Sequence, residues 1–175
     1  MEQMDINQYK GFREPVRQLY RNAFPREECV PWWLLVLLHR LKKINLTAWT
    51  ENGEFCGMTA AVTTEKLHYL WYFAVVEEKR AQGAGSGILQ TLRQQHPQLA
   101  LNVEPPVPDA TNYAQRLRRL NFYRRNQLED TGWDVWEVGG QYWILSDWPL
   151  CKQNFKEVFR KLSFGFWNVR MKERN

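Results

Sequence analysis

Val16, Leu19, Tyr20 and Phe24 fall at helical spacing, and Pro25 ends that pattern. A second helix is predicted from Pro31, a favoured first-turn residue, to Leu41. Its nearly continuous apolar run implies cover on several sides. Leu46 to Glu51 reads as a strand, and Asn52-Gly53 as a hairpin turn leading into a return strand over Glu54 to Thr63. A third strand is predicted from Leu67 to Val76, antiparallel to the second. Gly83, Gly85 and Gly87 then open a helix that runs to about Gln95. Leu99 to Glu104 reads as a strand, closed by Pro105-Pro106-Val107-Pro108, and a basic helix follows over about Asn112 to Arg125. Two last strands, Trp133 to Val138 and Gln141 to Leu145, are joined at Gly139-Gly140. A tail helix from Lys152 places Phe155, Val158, Phe159 and Leu162 on one face.

The strand–helix–strand unit at 67–104 is expected to be a right-handed parallel crossover. The fold class is therefore α/β, with one mixed sheet in a single domain. The division expected is a main domain over 1–146 and a helical extension over 147–175 packed on it.

Composition narrows the class. The chain has 175 residues, 44% hydrophobic and 25% charged, so one ordinary core is expected rather than disorder. The longest apolar run, Val30 to Leu38, is too short to span a bilayer. The polar start of the chain does not resemble a signal peptide. Three widely spaced cysteines, Cys29, Cys56 and Cys151, form no CxxC pair, and a reduced, cytoplasmic protein is expected. The net charge of +5 favours an anionic partner without naming it.

The stretch richest in chemistry runs from Phe73-Ala74-Val75 through Arg80-Ala81-Gln82-Gly83-Ala84-Gly85-Ser86-Gly87. A hydrophobic strand ends there, and a glycine-rich turn starts a helix. Such a turn exposes backbone N–H groups at the positive end of the helix dipole, which suits phosphate. It is not a Walker A loop, because Ser86-Gly87 follows Gly85 where Lys-Ser/Thr is required. The GxGxxG spacing of dinucleotide-binding loops also fails.

Arg80-Ala81-Gln82-Gly83-Ala84-Gly85 does match Arg/Gln-x-x-Gly-x-Gly/Ala. That motif resembles the acetyl-CoA-binding loop of the GNAT superfamily of N-acetyltransferases. Leu101-Asn102-Val103-Glu104-Pro105-Pro106 resembles the family's next strand, and Asn112 with Arg119 to Asn126 its next helix. The resemblance covers roughly 12–146 and is strongest over 70–126.

The resemblance implies acetyl transfer from acetyl-CoA to a primary amine by direct attack, without a metal. Phe73, Ala74 and Val75 would pair with the pantetheine arm. The loop from Arg80 to Gly85, with Ser86 and Gly87, would hold the pyrophosphate, and Asn112 would touch the cofactor. Tyr123 matches the tyrosine that protonates the leaving thiolate; the plainer reading is a core aromatic beside Phe122. Where some members carry a basic glutamate this chain has Asn102, and Glu104, two residues on, shares its strand face. Glu104 could accept the amine's proton through water, or be a solvated strand-end carboxylate. Ala81 and Gln127 stand where the family commonly has glycine, and Leu128 where it has Phe. The family's first strand is expected to be short or missing.

Other features have bland readings. Arg116, Arg118, Arg119, Arg124 and Arg125 make a solvated helix face, a subset of which could reach phosphates. His39, His68 and His96 lack metal-ligand spacing. Trp32, Trp33, Trp71, Tyr72 and Trp143 could line an acceptor pocket or fill the core. Glu27 and Glu28 could meet a cationic substrate. The partner expected is a small-molecule or peptide amine, not nucleic acid or a membrane, with a homodimer left open. The rival readings are a non-catalytic acyl-CoA-binding module, which Asn102 keeps alive, and a nucleic-acid binder using the arginine cluster.

Overall fold

The computed structural model describes residues 1–96, 98–137, 140–162 and 169–174. Eight strands form one sheet: β1 Glu2–Asp5, β2 Asn45–Glu51, β3 Glu54–Thr63, β4 His68–Val75, β5 Leu99–Val103, β6 Glu129–Glu137, β7 Gly140–Ser146 and β8 Arg170–Glu173. Their order is β1-β2-β3-β4-β5-β7-β6-β8, and each neighbouring pair is antiparallel except β4 with β5. Among the described residues five α-helices cover the sheet: α1 Arg13–Ala23, α2 Trp32–Arg40, α3 Ala84–Gln95, α4 Tyr113–Arg125 and α5 Lys152–Leu162.

Strand alternation sends side chains to two faces, and each face has its own core. Val16 and Tyr20 of α1, Leu35 and Leu38 of α2, and Phe155, Val158 and Phe159 of α5 pack on one face with Met58, Tyr69 and Tyr72. Ile88, Leu89 and Leu92 of α3 and Leu120 and Tyr123 of α4 pack on the other with Leu70, Leu101 and Leu145. Helix α1 stops where Phe24, before Pro25, turns extended. His39 is a satisfied core residue: its ring bonds Asp5 Oδ1 (3.1 Å) and accepts from the Leu46 N–H (3.2 Å).

Two strands differ from expectation. Strand β6 starts at Glu129, not Trp133, because an irregularity between Asp130 and Asp134, with Gly132 at φ +76°, interrupts the alternation that marks a strand. Strand β8 is four residues long, pairs with β6 and has Met171 as its single apolar residue, too little for an apolar pattern. Strand β1 is present but only four residues long. Val138, at the end of the predicted strand from Trp133, and Gly139, in the turn after it, lie outside the described residues.

The two departures from glycine have a conformational signature. Ala81 (φ +58°) and Gln127 (φ +62°) both occupy the left-handed region. Gln127 is exposed after α4, where a Cβ costs about 1–2 kcal/mol and glycine costs nothing locally. Gln127→Gly is expected to stabilise the fold by up to about 1 kcal/mol after the entropy cost of glycine. The melting temperature should then rise by roughly 2–4 °C in scanning calorimetry.

Candidate active site

Strands β4 and β5 pair only at His68–Leu99, Tyr69–Ala100 and Leu70–Leu101. The next β4 residue, Trp71, has no partner on β3, where Ala60 faces Tyr72 and Ala61 faces Leu70. Beyond this bulge β4 runs on with β3 alone, and a gap opens toward β5. Val76 N–H bonds Cys56 O at 3.0 Å, so ladder alternation turns Phe73 and Val75 away from β3, into the gap. Arg80 Nε donates to the Val75 carbonyl from that side (3.1 Å).

A cavity of about 900 Å³ fills the gap and reaches both sheet faces. One arm follows the loop into α3 and is lined by Val75, Arg80, Ala81, Gly83, Gly85 and Ser86, and by Arg118, Arg119 and Tyr123 of α4. The first intrahelical bond of α3 is Gly87 N–H to Gly83 O (2.9 Å), so the N–H groups of Ala84, Gly85 and Ser86 precede any helical acceptor. Gly83 has φ +91°, which favours glycine there. At Gly85 a Cβ would lie 3.0 Å from the Phe122 ring and 3.4 Å from Val75, so α3 and α4 meet closely.

The structure brings Phe73, Ala74, Val75, Arg80, Ala81, Gly83, Gly85, Ser86, Glu104 and Tyr123 onto this one cavity. It does not bring Gln82, Ala84, Gly87 or Asn112 to its wall. Gln82 donates to Glu78 O (2.6 Å), Ala84 is buried in the core, and a Cβ at Gly87 would meet Met1. Asn112 Oδ1 accepts from Arg116 Nε (2.7 Å). Of the candidate pocket aromatics, Trp71 and Tyr72 line the cavity, whereas Trp33 is 66% exposed and Trp143 lies under the Arg174 guanidinium.

Tyr123 is buried edge-on to Phe122, with ring centroids 5.2 Å apart. Its hydroxyl makes no hydrogen bond among the described residues. Burial pushes this phenol above its usual range, partly offset by the charge of Arg119. Glu104 pairs with Arg116 (2.7 Å) and Arg119 (3.3 Å), which occupy its two oxygens.

The other arm is lined by Phe24 and Glu28, by Tyr69, Trp71 and Tyr72 of β4, and by Glu137 and Tyr142. Glu28 is pushed up by burial and by the negative charge of Glu104. Glu137, at the end of β6, was not among the residues singled out from sequence. Its Oε1 accepts from Tyr69 Oη (2.7 Å) and from Asn102 Nδ2, and the Trp71 side chain lies beside it. Burial pushes its carboxyl up to about 7, against the pull of those neighbours. The available signal was alternation: Val135 is a core residue, and Glu137 two positions on shares its face.

His68 stacks on His96 at 3.8 Å, and burial pushes it down to about 3. Among the described residues no three His, Cys, Asp or Glu side chains form a metal site. No described helix is long and apolar enough to cross a membrane.

No family profile matches the sequence, and no curated protein does. Solved structures do match. A protein assigned to the GNAT family of acetyltransferases from Bacteroides thetaiotaomicron superposes with a TM-score of 0.74 at 18% identity, over 95% of this chain and 100% of that one. An aminoglycoside 6'-N-acetyltransferase complexed with coenzyme A gives 0.63 at 12% identity, over 87% and 99%. A ribosomal-protein-alanine N-acetyltransferase from Brucella melitensis gives 0.58 at 12%, over 83% and 98%. The chain therefore has the fold of the GNAT acetyltransferases.

Proposed function

We propose that this protein transfers an acetyl group from acetyl-CoA to a primary amine. The observation that carries this reading is the gap between β4 and β5. It presents the backbone of Phe73 and Val75 within the same cavity as the loop leading into α3. An extended amide chain can pair with those backbone groups. The N–H groups of Gly85 and Ser86 suit a pyrophosphate, and Arg80, Arg118 and Arg119 add positive charge. The cavity volume lies within the range of small-molecule sites, roughly 300–1,000 Å³.

Bound there, acetyl-CoA supplies an activated acyl carbonyl and a thiolate leaving group. The chain supplies the rest. The Val75 N–H can polarise a carbonyl placed in the gap. Tyr123 holds a proton at Oη on the α3–α4 side and can give it to departing sulfur. Glu104, held by two guanidiniums, is ill suited to take the amine's proton. The matched aminoglycoside and ribosomal-protein-alanine enzymes suggest a small amine or a peptide N-terminus as acceptor.

Thermal unfolding with acetyl-CoA tests the reading. At about 100 times its dissociation constant the ligand adds about 2.7 kcal/mol, a rise of roughly 5–10 °C. ATP and NAD should give no rise. No rise with acetyl-CoA would overturn the proposal. The engaged state of Glu104 favours one rival, a module that binds acyl-CoA without chemistry; it would shift the melt but release no CoA from any amine.

A further inference from the structure

We infer that Glu137 seats the acceptor's ammonium group and takes its proton, and that the acceptor is a primary amine with an apolar body. This rests on the acetyltransferase reading above.

The first argument is position. Tyr69 and Asn102 hold the Glu137 carboxylate with Trp71 beside it, and these three flank the point where β4 and β5 part. Tyr69 lies in the last three ladder pairs, Trp71 is the unpartnered residue, and Asn102 is the first β5 residue past the ladder. The carboxylate therefore stands at the mouth of the gap, on the α1–α2–α5 face. Tyr123 belongs to the core of the opposite face. Proton removal from nitrogen and proton delivery to sulfur are thus separated by the sheet, with the gap between them.

The second argument is charge. The donors to Glu137 are all neutral, and no Lys, Arg or His among the described residues forms an ion pair with it. The elements packed around it offer Tyr69 and Tyr72 from β4, Asn102 from β5, Tyr142 from β7, and Phe159 and Leu162 from α5. The other charged groups of this arm are acids: Glu28, and Glu104 with its charge already paired to Arg116 and Arg119. A sequestered carboxylate lacking a cation needs a proton or a ligand's charge. Burial has raised Glu137 so that it exchanges a proton near neutrality. An ammonium group supplies both partner and proton.

The third argument is the wall. Phe24, Trp71, Tyr72 and Tyr142 surround this arm. Aromatic faces accept a cation and favour an apolar body behind it.

The step balances as follows. The ammonium nitrogen gives one proton to Glu137. The freed lone pair forms the C–N bond at the thioester carbonyl as the C–S bond breaks. The adduct nitrogen then loses its second proton to water, the Tyr123 phenolate left after protonating sulfur regains one from water, and Glu137 returns its proton to solvent.

The test compares wild type, Glu137→Gln and Tyr69→Phe. Acetyl-CoA affinity is measured by calorimetry, and CoA release with 2-phenylethylamine or spermidine is followed from pH 5 to 10. Wild-type kcat/KM for 2-phenylethylamine should rise along a limb near pH 7 and exceed that for spermidine. In Glu137→Gln that limb should vanish. The rate at pH 7 should fall roughly 10²–10⁴-fold. The deficit should narrow toward pH 10, where the amine arrives neutral. Gln can keep the bonds from Tyr69 and Asn102, since both reach Oε1. The variant should also melt above wild type at pH 8.5 and alongside it below about pH 4, because a raised carboxyl loses stability as pH climbs from its ordinary value of 4.5 to about 7. Tyr69→Phe removes a donor that favours the ionised form, so its limb should move to higher pH.

Acetyl-CoA affinity should stay within about twofold in all three. The proposal is overturned by a Glu137→Gln rate near wild type at pH 7, or by a deficit equal at every pH. A preference for spermidine, or an enzyme that binds acetyl-CoA but acetylates neither amine, also overturns it. Should Glu137→Gln not fold, an unmoved limb in Tyr69→Phe overturns it alone. Wild type that fails to bind acetyl-CoA is a different failure, that of the acetyltransferase reading itself.

Discussion

Tyr123→Phe should slow CoA release by roughly 10²–10⁴-fold at neutral pH, the range for loss of a positioned proton donor. Acetyl-CoA affinity should change by no more than about twofold, because the hydroxyl is the sole group removed. Phe preserves the edge-on contact with Phe122 and the packing beneath α4. The hydroxyl has no protein partner among the described residues, so its loss leaves no orphaned group behind. Burial keeps the phenol protonated at neutral pH, and the Arg119 charge limits how far it is pushed up. A thiolate gains basicity only as the C–S bond opens, so the proton moves late. Steady-state release of free thiol, paired with calorimetric titration of acetyl-CoA, reads both quantities. An unchanged rate would make Tyr123 a packing residue. A matching loss of affinity would make it a cofactor contact.

The second large effect is expected at Gly85. Gly85→Leu should weaken acetyl-CoA binding at least about 100-fold, or about 2.7 kcal/mol, and abolish its thermal shift. The first side-chain carbon would already lie 3.0 Å from the Phe122 ring and 3.4 Å from Val75. The rest of a leucine must grow into the strip between the Val75 backbone and the first turn of α3. The unliganded fold should lose only about 1–3 kcal/mol, as overpacking commonly costs. Gly83 is sensitive for another reason. A Cβ there meets nothing within 4 Å, but φ +91° strains any side chain. Calorimetry separates the cases: steric loss at Gly85 removes affinity, and strain at Gly83 removes stability first. Retained affinity in Gly85→Leu would mean that the ligand takes another path.

Much of the fold was legible because each major element carries a local signal. Helices α1 and α5 show apolar spacing, Asn52-Gly53 supplies a left-handed hairpin pair, and the glycine turn opens α3. Strand β8 and the start of β6 were not legible. One is a four-residue strand with Met171 as its single apolar residue, and the other is broken by an irregularity at Gly132. The cofactor arm of the site was readable because its residues are contiguous in sequence. The acceptor arm was not. Glu137 reaches Tyr69 and Asn102 across separations of 68 and 35 residues, and only the strand order brings them together. Asn102 marked the place where a carboxylate was wanted, but not that a strand two places away in the sheet would provide one. Glu104 shares the Asn102 strand, yet Arg116 and Arg119 had already engaged it, a pairing that needs α4 in position.

The three-pair ladder between β4 and β5 has a further consequence. It divides the eight strands into two half-sheets of four, β1 to β4 and β5 to β8, joined over a short seam. An extended ligand along β4 would act as a missing ninth strand and extend the seam. The Phe73 and Val75 amides should then exchange quickly with deuterium in the free protein and slowly once that strand is supplied. Amides at the centre of β3 should change little. Those two sites would serve as a built-in gauge of occupancy, readable before any acceptor is known.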